Sequence, residues 1–299
     1  MHSPLLKDCV LCPRECHVDR TAGERGYCRM TAELVVARAA LHHWEEPCLS
    51  GERGSGTVFF SGCALGCVYC QNHPIAEGKG KLITIDRLAE IFLELQAQGA
   101  HNINLVTPDH YVPHLIEAIR RSRRAGLALP IVYNCSGYEK VAALQLLEGL
   151  IDIYLPDLKY LSAEPADRYS QAGQYFAVAA AAIAEMVRQV GAPVFDGQGI
   201  MQKGVLVRHL TLPGRLGDSK RIIRYLHERY GERIFLSIMN QYTPCTRDPA
   251  YPELHRKVSP AAYEALVDYA IDIGVENAFI QDGEAALESF IPEFDNTGV

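Results

Sequence analysis

Thr57-Val-Phe-Phe-Ser61-Gly62-Cys63-Ala-Leu-Gly66-Cys67-Val-Tyr69-Cys70-Gln71-Asn72 is the stretch on which the fold turns. Thr57–Ser61 is a short apolar run stopped by glycine, which predicts a buried strand. Three cysteines then follow within eight residues, at x3 and x2 spacing. That spacing lets one loop wrap a compact metal centre, with Gly62 and Gly66 permitting the turns. A [4Fe–4S] cube bound by three cysteines keeps one iron without a protein ligand. An open position of that kind can take a substrate or cofactor. The competing readings are a zinc site, with His73 as fourth ligand, or a set of buried thiols.

Downstream, apolar runs and helical patterns alternate. Strands are predicted at 102–107, 131–134, 151–155, 205–209 and 234–239, with a short one at 278–280. Helices are predicted at 84–98, 111–124, 139–147, 164–190, 218–229 and 260–273. Thr84 is the expected cap of the first and Gly99 its stop. Six strand–helix repeats from residue 57 predict a parallel sheet with right-handed crossovers, an α/β fold of TIM-barrel type, complete or partial. The strand ends carry polar groups: Thr107-Pro108-Asp109-His110, Asn134-Cys135-Ser136, Asp157-Leu158-Lys159, Arg208-His209, Asn240-Gln241-Tyr242 and Gln281-Asp282. Together they predict one polar site at the carboxyl ends of the strands.

Upstream, residues 1–56 form a small Cys-rich N-terminal extension, with one strand expected at Leu34–Leu41. Residues 57–299 form the barrel domain. Cys9, Cys12, Cys16 and Cys28 suit a tetrahedral zinc site or a four-cysteine iron–sulfur cluster. A chain that already receives iron and sulfide favours the second cluster over zinc. A metal would also staple a segment too small for its own core. His42-His43-Trp44-Glu45-Glu46 precedes the barrel, and its two carboxylates could face the barrel mouth. Gly51–Thr57 lacks the Lys and the following helix of a phosphate-binding loop. The arginines at 120–124 read as a solvated helix end that complements the helix dipole.

Composition narrows the classes. The 299 residues are 48% hydrophobic, too apolar for a disordered chain. Lys+Arg 29 against Asp+Glu 36 gives −7, which argues against a nucleic-acid binder. No leader-type apolar segment or membrane-length run is present, so a reducing, cytoplasmic location is expected. There, ten cysteines read as metal or redox ligands rather than disulfides. Cys48, Cys135 and Cys245 lie outside both sets; the default reading for single cysteines is a buried thiol.

The strand-first three-cysteine loop resembles the radical S-adenosylmethionine (radical SAM) superfamily. Further stretches resemble its branch of pyruvate formate-lyase-activating enzymes: Asn104–Pro108, Tyr133–Tyr138, Tyr154–Tyr160, Leu206–His209, Met239–Tyr242 and the Cys12-Pro-Arg-Glu-Cys16 segment. The resemblance implies a partial (β/α)6 barrel. It implies a [4Fe–4S] cluster on Cys63, Cys67 and Cys70, with S-adenosylmethionine cleaved reductively to a 5′-deoxyadenosyl radical that takes hydrogen from a substrate. Tyr69 matches the aromatic near the adenine. Asn134, Ser136, Asp157 and Lys159 fall where the family contacts ribose and carboxylate. The family's Gly-Gly-Glu-type stretch is replaced by Thr107–His110, so the Thr107 carbonyl and Asp109 become the candidates for the ammonium group. Cys135, His209 and Tyr242 are the candidates for catalysis itself. An electron donor such as a flavodoxin or ferredoxin is implied, and a protein substrate is one option. A different class, an iron–sulfur electron carrier or redox sensor without catalysis, would use the same cysteines but need no polar strand ends.

Overall fold

The computed structural model describes residues 3–246, 248–281 and 292–299. Its strands are β1 (Leu34–His42), β2 (Ser55–Phe60), β3 (Lys81–Ile83), β4 (Ile103–Val106), β5 (Ile131–Cys135), β6 (Ile153–Pro156), β7 (Val194–Phe195), β8 (Met201–Leu210), β9 (Phe235–Met239) and β10 (Ala278–Ile280). Its helices are α1 (Pro47–Ser50), α2 (His73–Ala76), α3 (Ile85–Ala97), α4 (Val112–Arg124), α5 (Val141–Gln145), α6 (Ala163–Ser170), α7 (Tyr175–Val190), α8 (Leu216–Tyr230) and α9 (Pro260–Asp272).

The sheet order is β10-β9-β8-β6-β5-β4-β2-β1-β3. From β2 to β10 every neighbouring pair is parallel. Each parallel strand lies beside the next one in the chain, with helix in between. That is the winding of a partial TIM-like barrel. The reason is local. β2, β4, β5 and β6 are buried along their whole length, as strands covered on both faces must be. The helices bury one face each; α3 uses Leu88, Ala89, Ile91, Phe92 and Leu95. The Thr84 hydroxyl caps α3 by accepting from the Arg87 N–H, as its sequence predicts.

Three elements differ from expectation. The predicted helix 164–190 is two helices, α6 and α7, parted where Gln171 takes a left-handed conformation (φ 49°). The predicted helix 139–147 is regular only at 141–145. The N-terminal strand is part of the main sheet: β1 pairs antiparallel with β2 and with β3. Residues near the far end complete it, because the Ala39 N–H donates to Thr297 O and the Asn296 N–H to Ala37 O. Among the described residues, no helix is long and apolar enough to cross a membrane. Asp282, a candidate strand-end residue, lies outside the described residues.

Candidate functional site

The cysteine loop leaves the carboxyl end of β2. Gly62 (φ 91°) and Gly66 (φ 65°) are left-handed, where a side chain would strain the backbone. A Cβ at Gly62 would also lie 2.3 Å from Met30 Cγ and 2.8 Å from the Cys28 carbonyl oxygen. Cys63, Cys67 and Cys70 are half-buried. The Gly66 N–H donates to Cys63 Sγ at 3.4 Å, and the Ser170 hydroxyl to Cys67 Sγ at 3.1 Å. Burial pushes the Cys63 thiol up, and Asp109 and the other two thiols push the same way. Burial pushes Cys70 up to about 12. Only a bound cation would keep such sulfurs as thiolates at neutral pH.

A cavity joins this loop to the strand ends. Cys63, Cys67 and Cys70 line one side. Thr107, Asn134, Ser136, Asp157 and Lys159 line the other, with Cys135 and Arg208. Five elements therefore converge there: the loop after β2 and the ends of β4, β5, β6 and β8. Thr107 stands out because it is left-handed without being glycine (φ 57°).

The polar wall is one chain of ion pairs and hydrogen bonds. Lys159 Nζ lies 2.6 Å from Asp157 Oδ2, and Arg208 Nε 2.9 Å from Asp157 Oδ1. Arg208 Nη2 donates to Asn134 Oδ1 at 2.6 Å, and Nη1 lies 3.4 Å from Glu45 Oε2. The Asn104 and Asn134 amides donate to Glu45 Oε1 at 3.1 and 3.3 Å. Burial would raise the Asp157 carboxyl, but Arg208 and Lys159 together hold it below its ordinary value. Burial would lower Lys159, but Asp157 holds it above its ordinary value. Glu45 is raised by burial despite Arg208. A second cavity shares Asn72, Val106, Asn134 and Arg208 with the first and adds His42, Trp44, Gln71 and Gln241. Glu45 of the pre-barrel segment thus reaches the strand ends, and Trp44 stays 61% exposed at the rim of the second cavity.

The remaining sequence candidates lie elsewhere. Asp109 is buried with Oδ2 unpartnered and does not line the cavity. Tyr69 is buried behind the loop, where its hydroxyl accepts from Tyr160. His209 is hydrogen-bonded to Leu158 O (2.8 Å) and Ser219 Oγ (2.8 Å), and burial lowers its pKa. The Tyr242 hydroxyl donates to Leu254 O at 2.7 Å. Neither His209 nor Tyr242 lines the cavity; Cys135 does. Cys48 is buried, which pushes its thiol up to about 12, and Cys245 is exposed. Sequence reasoning missed Ser170 and Glu139. Glu139 is buried against the Cys135 thiol, which alone is near enough to interact with its carboxyl by hydrogen bonding among the described residues. Its signal was its place in the loop directly after β5.

In the N-terminal segment Cys9, Cys12 and Cys28 are buried and Cys16 is half-buried. The Tyr27 N–H donates to Cys16 Sγ at 3.2 Å. Burial pushes Cys12 up to about 12 and Cys28 up to about 11. Arg14 docks the segment on the cysteine loop. Its guanidinium donates to the carbonyls of Ala64 (2.9 Å), Leu65 (3.2 Å), Ser170 (2.8 Å) and Gln171 (2.6 Å). Among the described residues, no three His, Cys, Asp or Glu side chains stand close enough to clasp one metal ion.

Comparison with known proteins bears on the same residues. A family model described as the Radical SAM superfamily matches residues 57–226. The uncharacterized protein MJ0674 of Methanocaldococcus jannaschii is 26% identical over 280 residues, covering 89% of this chain and 75% of its own length. A crystal structure of a probable 2-pyrone-4,6-dicarboxylic acid hydrolase from Acinetobacter baumannii aligns with 73% of this chain and 80% of its own. Its identity is 10% and its TM-score 0.31, too slight a likeness to carry any inference.

Proposed function

The chain belongs to the radical SAM superfamily, and from that premise we propose that it binds a [4Fe–4S] cluster through Cys63, Cys67 and Cys70 and uses S-adenosylmethionine to remove a hydrogen atom from a substrate. The donor set fits the group: three sulfurs on one loop, two of them accepting hydrogen bonds, border a cavity with space for a ligand. When bound, the reduced cluster and S-adenosylmethionine supply a 5′-deoxyadenosyl radical, and the difficult chemistry is the cofactor's.

The protein's part is binding, orientation and exclusion of water. The Thr107 carbonyl is the ammonium acceptor in this reading, because Asp109 does not reach the cavity wall. Asn134 and Ser136 serve ribose hydroxyls. Lys159 and Arg208 give the wall positive charge for a carboxylate, each held in place by Asp157. Leu65, Ile75 and Val106 supply apolar lining.

The stretches shared with pyruvate formate-lyase-activating enzymes support an activase-type substrate, a backbone glycine of a protein partner. The second cavity, continuous in its lining with the first through Asn134 and Arg208, supports a place for that segment. The electron would come from a flavodoxin or ferredoxin in a reducing cytoplasm.

One observation carries the reading: a single cavity bordered by three thiols and by the polar ends of successive parallel strands. An electron carrier has no use for such a cavity. The test is anaerobic reconstitution followed by S-adenosylmethionine and dithionite. 5′-Deoxyadenosine is the expected product, and Cys67→Ala should reduce it to background. No product from a protein with its full iron content would defeat the proposal.

A further inference from the structure

We propose that Cys9, Cys12, Cys16 and Cys28 bind a second iron–sulfur cluster, held by all four thiolates and placed beside the Cys63 loop so that electrons pass between the two. The inference rests on the proposed function only for the identity of its neighbour.

Arg20 is a buried charge beside the N-terminal cysteines, with the Tyr111 ring under it. Its guanidinium is buried, with 1% of the residue exposed. It donates to Thr31 O (3.0 and 2.7 Å) and His110 O (2.7 Å), and Nη1 lies 4.0 Å from Cys9 Sγ. Among the described residues no carboxylate forms an ion pair with it. Buried cations are matched by negative charge nearby. Asp109 acts on the same Cys28 and Tyr111 as Arg20 does. Four thiolates around a cluster would add net negative charge on the Cys9 side.

The shape of the loop points the same way. Glu15 (φ 42°) and His17 (φ 55°) flank Cys16, and Arg29 (φ 65°) follows Cys28. All three are left-handed without being glycine, a conformation that costs free energy and persists where surrounding structure demands it. Here it is concentrated at the cysteines. A Cβ at Gly26 would meet Cys16 Sγ at 3.1 Å, so the chain passes close to that sulfur. The Tyr27 N–H donates to Cys16 Sγ as the Gly66 N–H does to Cys63 Sγ. Hydrogen bonds to sulfur are a means by which proteins set cluster potentials.

Contact with the other cysteine loop favours iron–sulfur over zinc. A zinc staple has no redox chemistry and could not exchange electrons with that loop. This segment touches it three times: through Arg14 at Ala64 and Leu65, through the Cys28 carbonyl against Gly62, and through the Tyr27 ring against Gly66. The electron balance is simple. A protein one-electron reductant reduces the N-terminal cluster from 2+ to 1+, and that cluster is reoxidised as the Cys63-loop cluster takes the electron. No bond or proton changes place.

The test compares the reconstituted full chain with C63A/C67A/C70A and with C12S/C16S. Iron and acid-labile sulfide should each fall from about eight per chain to about four in either variant. The EPR signal of C12S/C16S should change on adding S-adenosylmethionine, and that of C63A/C67A/C70A should not. The fully reduced full chain should show spin–spin broadening that both variants lose. One zinc, or no metal, in C63A/C67A/C70A overturns the inference. So does a full-chain spectrum that is the plain sum of the two variants. If C12S/C16S does not fold, the iron count of C63A/C67A/C70A and of the full chain decides alone. 5′-Deoxyadenosine formation by a fully reconstituted wild-type chain holding only four irons would sink this inference and leave the proposed function standing. Four irons in C63A/C67A/C70A, with no 5′-deoxyadenosine from the full chain, would do the reverse.

Discussion

Arg208 binds three partners from three parts of the chain: Asp157 after β6, Asn134 on β5 and Glu45 before the barrel. Removing it leaves the half-buried Glu45 without a cation and Asp157 with Lys159 alone. Arg208→Met is expected to cost about 3–5 kcal/mol, read as a lower urea midpoint. Glu139 makes the opposite case. Burial, with Asp109 nearby, raises its carboxyl well above the ordinary value. The native state therefore holds a proton that the unfolded chain releases above the unfolded carboxyl pKa. Its contribution is complete at low pH and is lost as pH rises toward the native pKa, at about 1.4 kcal/mol per pH unit. Glu139→Gln cannot titrate. Its thermal midpoint should gain on the wild type steadily from pH 4.5 to 7, and a constant difference would refute the assignment. Arg208 was legible in the sequence because it follows an obvious strand. Glu139 was not, because the apolar positions after it read as helix, and only tertiary packing closes water away from it.

At the scale of elements, the long apolar strands and capped helices were legible because each carries its own signal. Thr84 shows it: a hydroxyl before an amphipathic run, with Gly99 as stop. Thr84→Ala should cost about 1 kcal/mol, measured by thermal melts, and a change near zero would mean that the cap contributes little. What was not legible depended on distant partners. β3 has only three residues, Leu82 among them is exposed, and it exists because β1 offers an edge. The break between α6 and α7 is Gln171-Ala-Gly-Gln174, where Gly173 is a weak stop inside an otherwise helical pattern. Yet that break presents the Ser170 and Gln171 carbonyls to Arg14 and the Ser170 hydroxyl to Cys67.

For the whole molecule, the partial barrel was readable because its strands come in order, each beside the next. The entry of the N-terminal segment into the sheet was not readable. Antiparallel pairing of β1 with β2 leaves no pattern that either strand shows alone. A polypeptide begun at residue 57 would lose β1, the Glu45 partner of Arg208, and the Arg14 contacts. It should give little soluble protein and no sharp thermal transition; a cooperative melt close to that of the full chain would contradict this.

The Arg14 and β1 contacts also set an order in time. Arg14 is made well before two of its acceptors, which lie more than 150 positions later. β1 waits longer still, for backbone partners at Asn296 and Thr297. On the ribosome, then, the four leading cysteines emerge without the neighbours that later cover them. They pass through a window in which they are open both to metal delivery and to oxidation, and the window stays open at least until Ser170 and Gln171 have been made.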